Sequence, residues 1–201
     1  MNEIDHDVSR SVAIIFHSRQ PHTHTHPPAR PSEMAMKISN KCLDGLIRQA
    51  NRELQSSHAY LSMSLWFADR ELPGSAAWCR AHSAEERTHG LMVFDHITKR
   101  RAKGAMVTES PAAKFNFEDP VDVWKFALEN ERQNSLAIMD LVKLARSEAD
   151  FTTEQFLQGF FVPEQLEEEA AVTDILENAK RVVKTNGLYV AYDSQIVSKP
   201  H

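Results

Sequence analysis

The sequence predicts an all-α protein: an antiparallel four-helix bundle with one long crossover between its second and third helices, followed by a short fifth helix. Glycine is scarce, at six of 201 residues, and charged side chains mix with Ala and Leu, which favours helix over sheet. Four segments of nearly thirty residues carry apolar side chains at helical spacing. Two of the three links are short, whereas residues 103–118 can travel the length of the bundle.

The overall composition is that of an ordinary globular protein, with 42% hydrophobic and 25% charged residues. A net charge of −5 argues against nucleic acid as a partner and favours attraction of cations. Cys42 and Cys79 fall in separate helices and define no disulfide framework, which fits a reducing cytoplasm. The early apolar run 12–16 is too short for a signal-peptide core or a membrane span. We therefore expect a soluble cytoplasmic protein with no membrane partner.

Residues 1–36 differ in composition from the remainder of the chain. They hold four of the nine prolines and the alternating run HTHTH at 22–26, with no sustained helical pattern. Such a run can bind a divalent metal, but the composition favours a disordered extension. The alternative is that translation starts at Met34 or Met36. In either case the sequence predicts one helical domain over residues 37–198.

Capping residues mark where the first three helices begin. Ser39 is a favourable N-cap, and Asp119 followed by Pro120 supplies a cap and a proline at the first helical position. Pro73 lies in the turn between the first two helices. The three helices are predicted to span about residues 39–69, 73–102 and 119–149.

The fourth helix is less regular. Thr152 with Gln155 has the spacing of a capping box at its start. Pro163 falls in its first half, where it should remove one backbone hydrogen bond and bend the axis. The Asn-Gly pair at 186–187 is a natural helix stop, which leaves residues 188–196 as a short fifth helix.

Each of the four long helices places one carboxylate in its apolar stripe. Burying an isolated ionised group costs several kcal/mol, so four would offset much of the ~5–15 kcal/mol that keeps a domain folded. No Lys or Arg stands at a matching position in the stripes. Four negative charges balance two divalent cations, which predicts a pair of metal ions in the bundle core. The four residues are Glu53, Glu86, Glu131 and Glu168.

Glu86 and His89 give this prediction its focus. Residues three apart on a helix are surface neighbours, so both side chains point towards one site. Oxygen ligands with a single imidazole suit iron or manganese better than a thiolate-seeking metal. His82 and His96 each lie one heptad from His89, roughly 10 Å along the axis. Both are therefore expected to be structural or surface residues.

Three runs carry a resemblance to a known family: NRELQSSHAY, AHSAEERTHG and PEQLEEE. From Asn51 to Gln195 the chain resembles a non-haem, bacterial-type ferritin of the ferritin-like di-iron superfamily. The resemblance implies a ferroxidase that oxidises Fe(II) with dioxygen and stores the ferric product as mineral. It also implies a homo-oligomeric cage of twenty-four subunits, with the fifth helix at the fourfold axes.

The resemblance also implies the ligands of the di-iron centre. The first iron would be held by Glu53, Glu86 and His89. The second would share Glu86 as a bridge and add Glu131 and Glu168. Two further residues match positions beside the centre, and a third iron site would share Glu168. The two neighbours are Tyr60 and Gln165, and the third site comprises Glu85, Glu164 and Glu167.

Simpler interpretations exist for the same residues. Glu86 with His89 is on its own a common polar pair in a bundle core. The acidic residues of the third site have the pattern of a solvated face. Tyr60 has the pattern of an ordinary core aromatic, and we expect the three tryptophans to be packing residues.

Three competing functions remain open at this level. A haem-carrying bacterioferritin would have a methionine at Arg87, and a glutamate and a histidine where this chain has Gln165 and Glu168. An oxidase of an organic substrate would repeat E-x-x-H on two helices, and the fourth helix lacks the second copy. A structural subunit would lack an intact ligand set.

Overall fold

Long helices dominate the computed structural model, which describes residues 37–183 and 188–196. The helices share the bundle described below, and no strand occurs among these residues. The predicted all-α bundle with a short fifth helix is confirmed, whereas the predicted extension at 1–36 lies outside the described residues. The elements are α1 (Asn40–Ala68), α2 (Pro73–Lys99), α3 (Pro120–Ser147), α4 (Phe151–Phe156), a π-helical turn (Leu157–Phe161), α5 (Val162–Val182) and α6 (Leu188–Ile196).

Two of the predicted caps form as expected. The Ser39 hydroxyl accepts a hydrogen bond from the backbone N–H of Cys42 at 3.2 Å, and Asp119 accepts one from Asp122 at 2.8 Å. Each side chain satisfies a backbone donor that the first helical turn leaves unpaired. Helix α2 ends three residues before the predicted position because Arg101 adopts a left-handed φ of 54° and closes the helix.

The long crossover runs along α1, as the bundle topology requires. The side chain of Asn51 donates to the carbonyl of Met106 at 3.0 Å and accepts from the N–H of Thr108 at 2.7 Å. Further along, the Ser62 hydroxyl donates to the carbonyl of Lys114 at 2.6 Å. Asn51 and Ser62 are eleven positions apart, so the link follows about 16 Å of α1 at 1.5 Å per residue.

The start of the fourth rod corrects one prediction. Asp150, and not Thr152, is the N-cap of α4: its carboxylate accepts from the N–H of Thr153 at 3.1 Å. The same carboxylate accepts from the guanidinium of Arg100 at 2.7 Å. This buried ion pair with the end of α2 fixes Asp150, so the helix begins one residue earlier than the local Thr-Gln spacing indicates.

The π-helical turn changes the phase of the fourth rod. The N–H of Val162 bonds to the carbonyl of Leu157, five residues back, so the turn holds one residue more than an α-turn. Pro163, which has no N–H, then occupies the first turn of α5, where no donor is needed. The expected bend is therefore replaced by a π-turn that brings Phe161, Gln165 and Glu168 to the inner face.

The core consists of two apolar clusters with a polar layer between them. One cluster lies around Trp78 and Trp124, and the other lies around Leu46 and Ile138. Every rod crosses from one cluster to the other, and every rod carries its in-stripe carboxylate at the crossing. The fold therefore collects the four carboxylates at one height in the bundle.

Helix α6 is fixed to the start of α2 by one carboxylate. Asp193 accepts from the N–H groups of Gly74 and Ser75 at 2.7 and 2.8 Å, and from the Ser75 hydroxyl at 2.5 Å. An acidic side chain at a helix N-terminus satisfies free donors and complements the helix dipole. No helix within the described ranges combines the length and hydropathy that a membrane span requires.

Candidate metal centre

Four carboxylates from four rods meet in the polar layer. All are buried: Glu53 and Glu86 are fully enclosed, and Glu168, the most accessible, is 4% exposed. Two groups of potential ligand atoms form there, and within each group the atoms lie within 4.8 Å of one another. The first contains Glu53, Glu86 and His89, and the second contains Glu86, Glu131 and Glu168. Because Glu86 belongs to both, the geometry describes two adjacent positions with one shared carboxylate.

Amide side chains hold the carboxylate of Glu53 in place. Gln49 Nε2 donates to Glu53 Oε1 at 2.7 Å, and Asn134 Nδ2 donates to Glu53 Oε2 at 2.9 Å. Gln49 Nε2 also donates to Asn134 Oδ1 at 2.7 Å, which links α1 to α3. The orientation of Glu53 is therefore set before any ion binds.

The carboxylate of Glu131 is held in a similar way from two other rods. Gln165 Nε2 donates to Glu131 Oε2 at 2.9 Å, and the Tyr60 hydroxyl donates a short hydrogen bond to Glu131 Oε1. Asn134 Nδ2 donates to Gln165 Oε1 at 2.9 Å and so joins the two halves of the network. Tyr60 and Gln165 thus lie directly beside the carboxylates, as the resemblance implies.

Glu86 and Glu168 differ from the other two carboxylates. All four of their oxygens are buried, and none has a hydrogen-bond partner among the described residues. The nearest basic atom is His89 Nδ1, at 3.6 Å from Glu86 Oε2 and 3.9 Å from Glu168 Oε1. No Lys or Arg of residues 37–183 or 188–196 pairs with any of the four carboxylates. Such oxygens are costly to bury unless a cation meets them, so the donor set fits divalent iron.

The site holds protons when no metal is present. Burial, together with the charges of the neighbouring glutamates, raises the pKa of Glu86 well above its ordinary value. Burial also raises the pKa of Glu131 to about 7, even though its bonds from Tyr60 and Gln165 act in the opposite direction. The pKa of Glu168 is raised to about 10, by burial first and then by Glu131 and Glu53. Cations that bind at neutral pH must therefore displace protons.

A third group of potential ligands lies at the edge of the layer. It contains Glu85 and Glu164, both half-buried, together with His89. Glu167, which the resemblance placed in this site, is exposed and belongs to none of the three groups of the described chain. The structure thus brings two of the three predicted residues together and adds the imidazole of His89.

Sequence reasoning missed Gln49 and Asn134. The available signal was a polar residue on the buried face, four positions before Glu53 and three after Glu131. His82 and His96 take no part in the three groups. His82 stacks on Trp78, and His96 stacks on an aromatic ring and contacts the Thr153 hydroxyl, so their predicted structural role agrees with the geometry.

The π-helical turn borders the centre. Phe160 and Phe161 lie 5.5 and 5.9 Å from the ring of His89, both in edge-to-face contact. Aromatic rings in this arrangement limit the orientations open to the imidazole and exclude water from one side of it. The extra residue of the turn thus places an apolar wall beside the one nitrogen ligand.

Comparison with known proteins identifies the family. Residues 43–182 match the sequence profile of the ferritin-like domain, so the chain belongs to the ferritin-like family. The bacterial non-heme ferritin of Bacteroides fragilis (strain 638R) is 35% identical over 159 residues, which cover 79% of this chain and 98% of that protein. The corresponding protein of Campylobacter jejuni is 31% identical over 155 residues, covering 77% and 92%. The resemblance to non-haem bacterial-type ferritins is confirmed.

Solved structures agree with this assignment. The open-pore ferritin of the archaeon Archaeoglobus fulgidus superposes with a TM-score of 0.79 at 30% identity, covering 83% of this chain and all of that one. A glutamate-to-glutamine variant of the ferritin PmFTN, soaked in iron, superposes with a TM-score of 0.75 at 34% identity, covering 78% and 98%.

Proposed function

We propose that this protein is a ferroxidase that also stores iron. It binds ferrous ions as substrate at the paired carboxylate positions, passes their electrons to dioxygen, and retains the ferric product as mineral inside an oligomeric cage. Membership of the ferritin-like family and the non-heme ferritin relatives support iron storage and ferroxidase activity in general. The observation that carries the proposal is the set of four buried oxygens on Glu86 and Glu168 that lack hydrogen-bond partners among the described residues.

Each ferrous ion has its own ligands in this proposal. The first ion takes one oxygen each from Glu53 and Glu86 and a nitrogen of His89, while the second takes Glu86, Glu131 and Glu168. Shared coordination by Glu86 keeps the ions close enough to deliver one electron each to the same dioxygen molecule. Two ferrous ions, one dioxygen and two protons then give two ferric ions and hydrogen peroxide.

The residues around the ions have distinct roles. Gln49 and Asn134 keep Glu53 oriented, and Gln165 does the same for Glu131. Preset ligands lower the ordering cost of binding and hold the geometry during oxidation. Carboxylates favour the change from Fe²⁺ to Fe³⁺ because they stabilise the higher charge. Tyr60, which is hydrogen-bonded to Glu131, is placed to donate a further electron.

A third position is part of the proposal. Glu85 and Glu164 lie with His89 at the edge of the layer, where the half-buried carboxylates connect the centre to the surface. A ferrous ion held there, with Glu168 shared between the sites, would be next in line for the centre. We propose Glu85 and Glu164 as its ligands, with Glu167 close enough in sequence to join them.

The cage is supported by exposed apolar side chains on the outer faces of the bundle. Leu166 is 74% exposed, and Leu65, Leu136 and Val190 are also exposed on three other helices. Apolar side chains spread over several faces are expected to be buried between subunits in a homo-oligomer. Light scattering of the purified protein tests the expected twenty-four subunits, and a monomer would contradict this part of the proposal.

A stopped-flow experiment tests the central activity. Metal-free protein mixed with ferrous iron and dioxygen should show a rapid rise in ferric absorbance. Glu86→Ala and His89→Ala should slow that rise at least about tenfold, as expected when a metal ligand is lost. Glu129→Ala and His58→Ala are the matched controls, since both residues are exposed and lie outside the ligand groups. Equal rates in all four variants would show that the assigned centre is wrong.

A further inference from the structure

Five of the six readily oxidised aromatic side chains form one continuous chain through the core. The protein has ten Phe, three Trp and three Tyr. All three Tyr and two of the three Trp belong to the chain, and no Phe does. A core packed only for volume would draw on Phe, the commonest of the three, so the selection indicates chemistry as well as packing. The five residues are Tyr60, Trp78, Trp124, Tyr189 and Tyr192.

Every step of this chain is a direct contact. The ring of Tyr60 lies 5.9 Å from that of Trp78, and the ring of Trp78 lies 5.2 Å from that of Trp124, both edge-to-face. The Trp124 indole N–H donates to the Tyr189 hydroxyl oxygen at 2.9 Å. The ring of Tyr189 lies 5.9 Å from that of Tyr192, which is only partly buried on α6. The chain thus leads from the carboxylate layer to the surface.

Both buried tyrosines have a route for their phenol protons. Tyr60 donates directly to Glu131. Because the Tyr189 oxygen already accepts from Trp124, its own hydroxyl hydrogen points to Ser75 Oγ at 3.2 Å, and the Ser75 hydroxyl donates to Asp193 at 2.5 Å. Burial raises the pKa of both phenols, so each must lose its proton to a neighbour when it is oxidised. A carboxylate is present at the end of each route.

We propose that these five residues form an electron relay that carries single electrons from the surface at α6 to the paired carboxylate site. The relay rests on the proposed ferroxidase function, since that reaction produces the oxidant. The relay residues contact neither iron nor dioxygen, except that Tyr60 contacts the ligand Glu131. Their role is to complete the reduction of peroxide when ferrous iron is scarce.

The electron count closes with two further electrons. Hydrogen peroxide needs two electrons and two protons to become two waters. One more ferrous ion supplies the first electron, the relay supplies the second, and solvent supplies the protons. Tyr189 is the net donor: its electron passes through the two tryptophans and Tyr60, and its proton passes through Ser75 to Asp193. Tyr60 lends its own proton to Glu131 and regains it when it is reduced again.

The resting state is restored from solution. A one-electron reductant such as ascorbate reduces Tyr192 at the surface, and Tyr192 in turn reduces Tyr189. Asp193 then returns the proton through Ser75. One turn of the relay therefore consumes one electron from solution and leaves every side chain unchanged.

Trp66 provides the matched control for a test. It is as deeply buried as Trp124, but its ring contacts Phe67 and Phe117 at 5.3 and 5.9 Å and no member of the relay. A Trp-to-Phe change at either position removes one buried indole from the same cluster. Only the change at Trp124 interrupts the relay.

The test detects radicals by electron paramagnetic resonance. Protein loaded anaerobically with ferrous iron is mixed with hydrogen peroxide and frozen at set times, with and without ring-deuterated tyrosine. The wild type and Trp66→Phe should both give a tyrosyl radical that Tyr189→Phe abolishes and that ascorbate quenches. In Trp124→Phe that radical should be lost, and a radical at Tyr60 should outlast the ascorbate treatment. Trp78→Phe should behave in the same way and replaces Trp124→Phe if the latter does not assemble.

The outcomes separate the relay from the ferroxidase proposal. Ferric absorbance is recorded on the same samples. If the wild type oxidises iron but Trp124→Phe and Trp66→Phe give identical radicals, the relay is overturned while the ferroxidase stands. If the wild type oxidises no iron, the ferroxidase proposal fails and the relay fails with it.

Discussion

Raising the pH of the metal-free protein should destabilise it, and Glu168 should account for much of the loss. Burial, with the charges of Glu131 and Glu53, raises the pKa of Glu168 from 4.5 to about 10. Between about pH 6.5 and 8.5 the folded chain holds a proton that the unfolded chain has released, so the free energy of unfolding falls as pH rises. One such proton changes that free energy by about 1.4 kcal/mol per pH unit, or about 3 kcal/mol over the window.

Glu168→Gln is suited to this measurement because the carboxylate oxygens of Glu168 have no hydrogen-bond partner in the described structure, so the amide breaks no bond. Denaturant unfolding at fixed subunit concentration should show the variant losing about 1.4 kcal/mol per pH unit of slope. The pKa of His96 is lowered to about 4, so it titrates below the window. Equal slopes for the two proteins would refute the reasoning that Glu168 stays protonated in the metal-free fold.

Three other substitutions test packing, capping and ligand support. Gly74→Ala would place a Cβ 1.9 Å from the backbone oxygen of Asp193, so we expect displacement of α6 and a Tm lower by several degrees in calorimetry; an unchanged Tm would contradict this docking. Asp150→Ala removes the carboxylate that faces the buried Arg100, and denaturant titration should show a loss of about 3–5 kcal/mol; a loss below about 1 kcal/mol would indicate a surface-like pair. Asn134→Leu removes a donor to the ligand layer and should slow iron oxidation roughly tenfold in stopped flow with unchanged circular dichroism; wild-type kinetics would exclude the supporting role.

Local sequence signals predicted most of the fold. Ser39 and Asp119 were identifiable as caps because their side chains bond only to backbone within three residues. The in-stripe carboxylates were identifiable because helical spacing alone sets which face each residue occupies. Asp150 could not be distinguished from Thr152 as the cap, because the deciding contact is with Arg100, fifty residues earlier.

The details of the fourth rod also depend on contacts that local patterns do not report. A π-turn adds one residue without changing hydrophobicity, so helical spacing placed Glu164 on the inner face where the structure places Gln165. The same shift leaves Glu167 exposed, outside the group that Glu85 forms with Glu164. Asn134 was missed because an amide in an apolar stripe has meaning only once its partners on other rods are known.

The most direct test of the central claim is anomalous diffraction at the iron absorption edge from crystals soaked anaerobically in ferrous iron. The claim is that the buried carboxylates are matched by doubly charged ions. It predicts two peaks per subunit, one between Glu53 and His89 and one between Glu131 and Glu168, with Glu86 touching both. A site without iron, or one in which a lysine amine neutralises the carboxylates, would contradict the account.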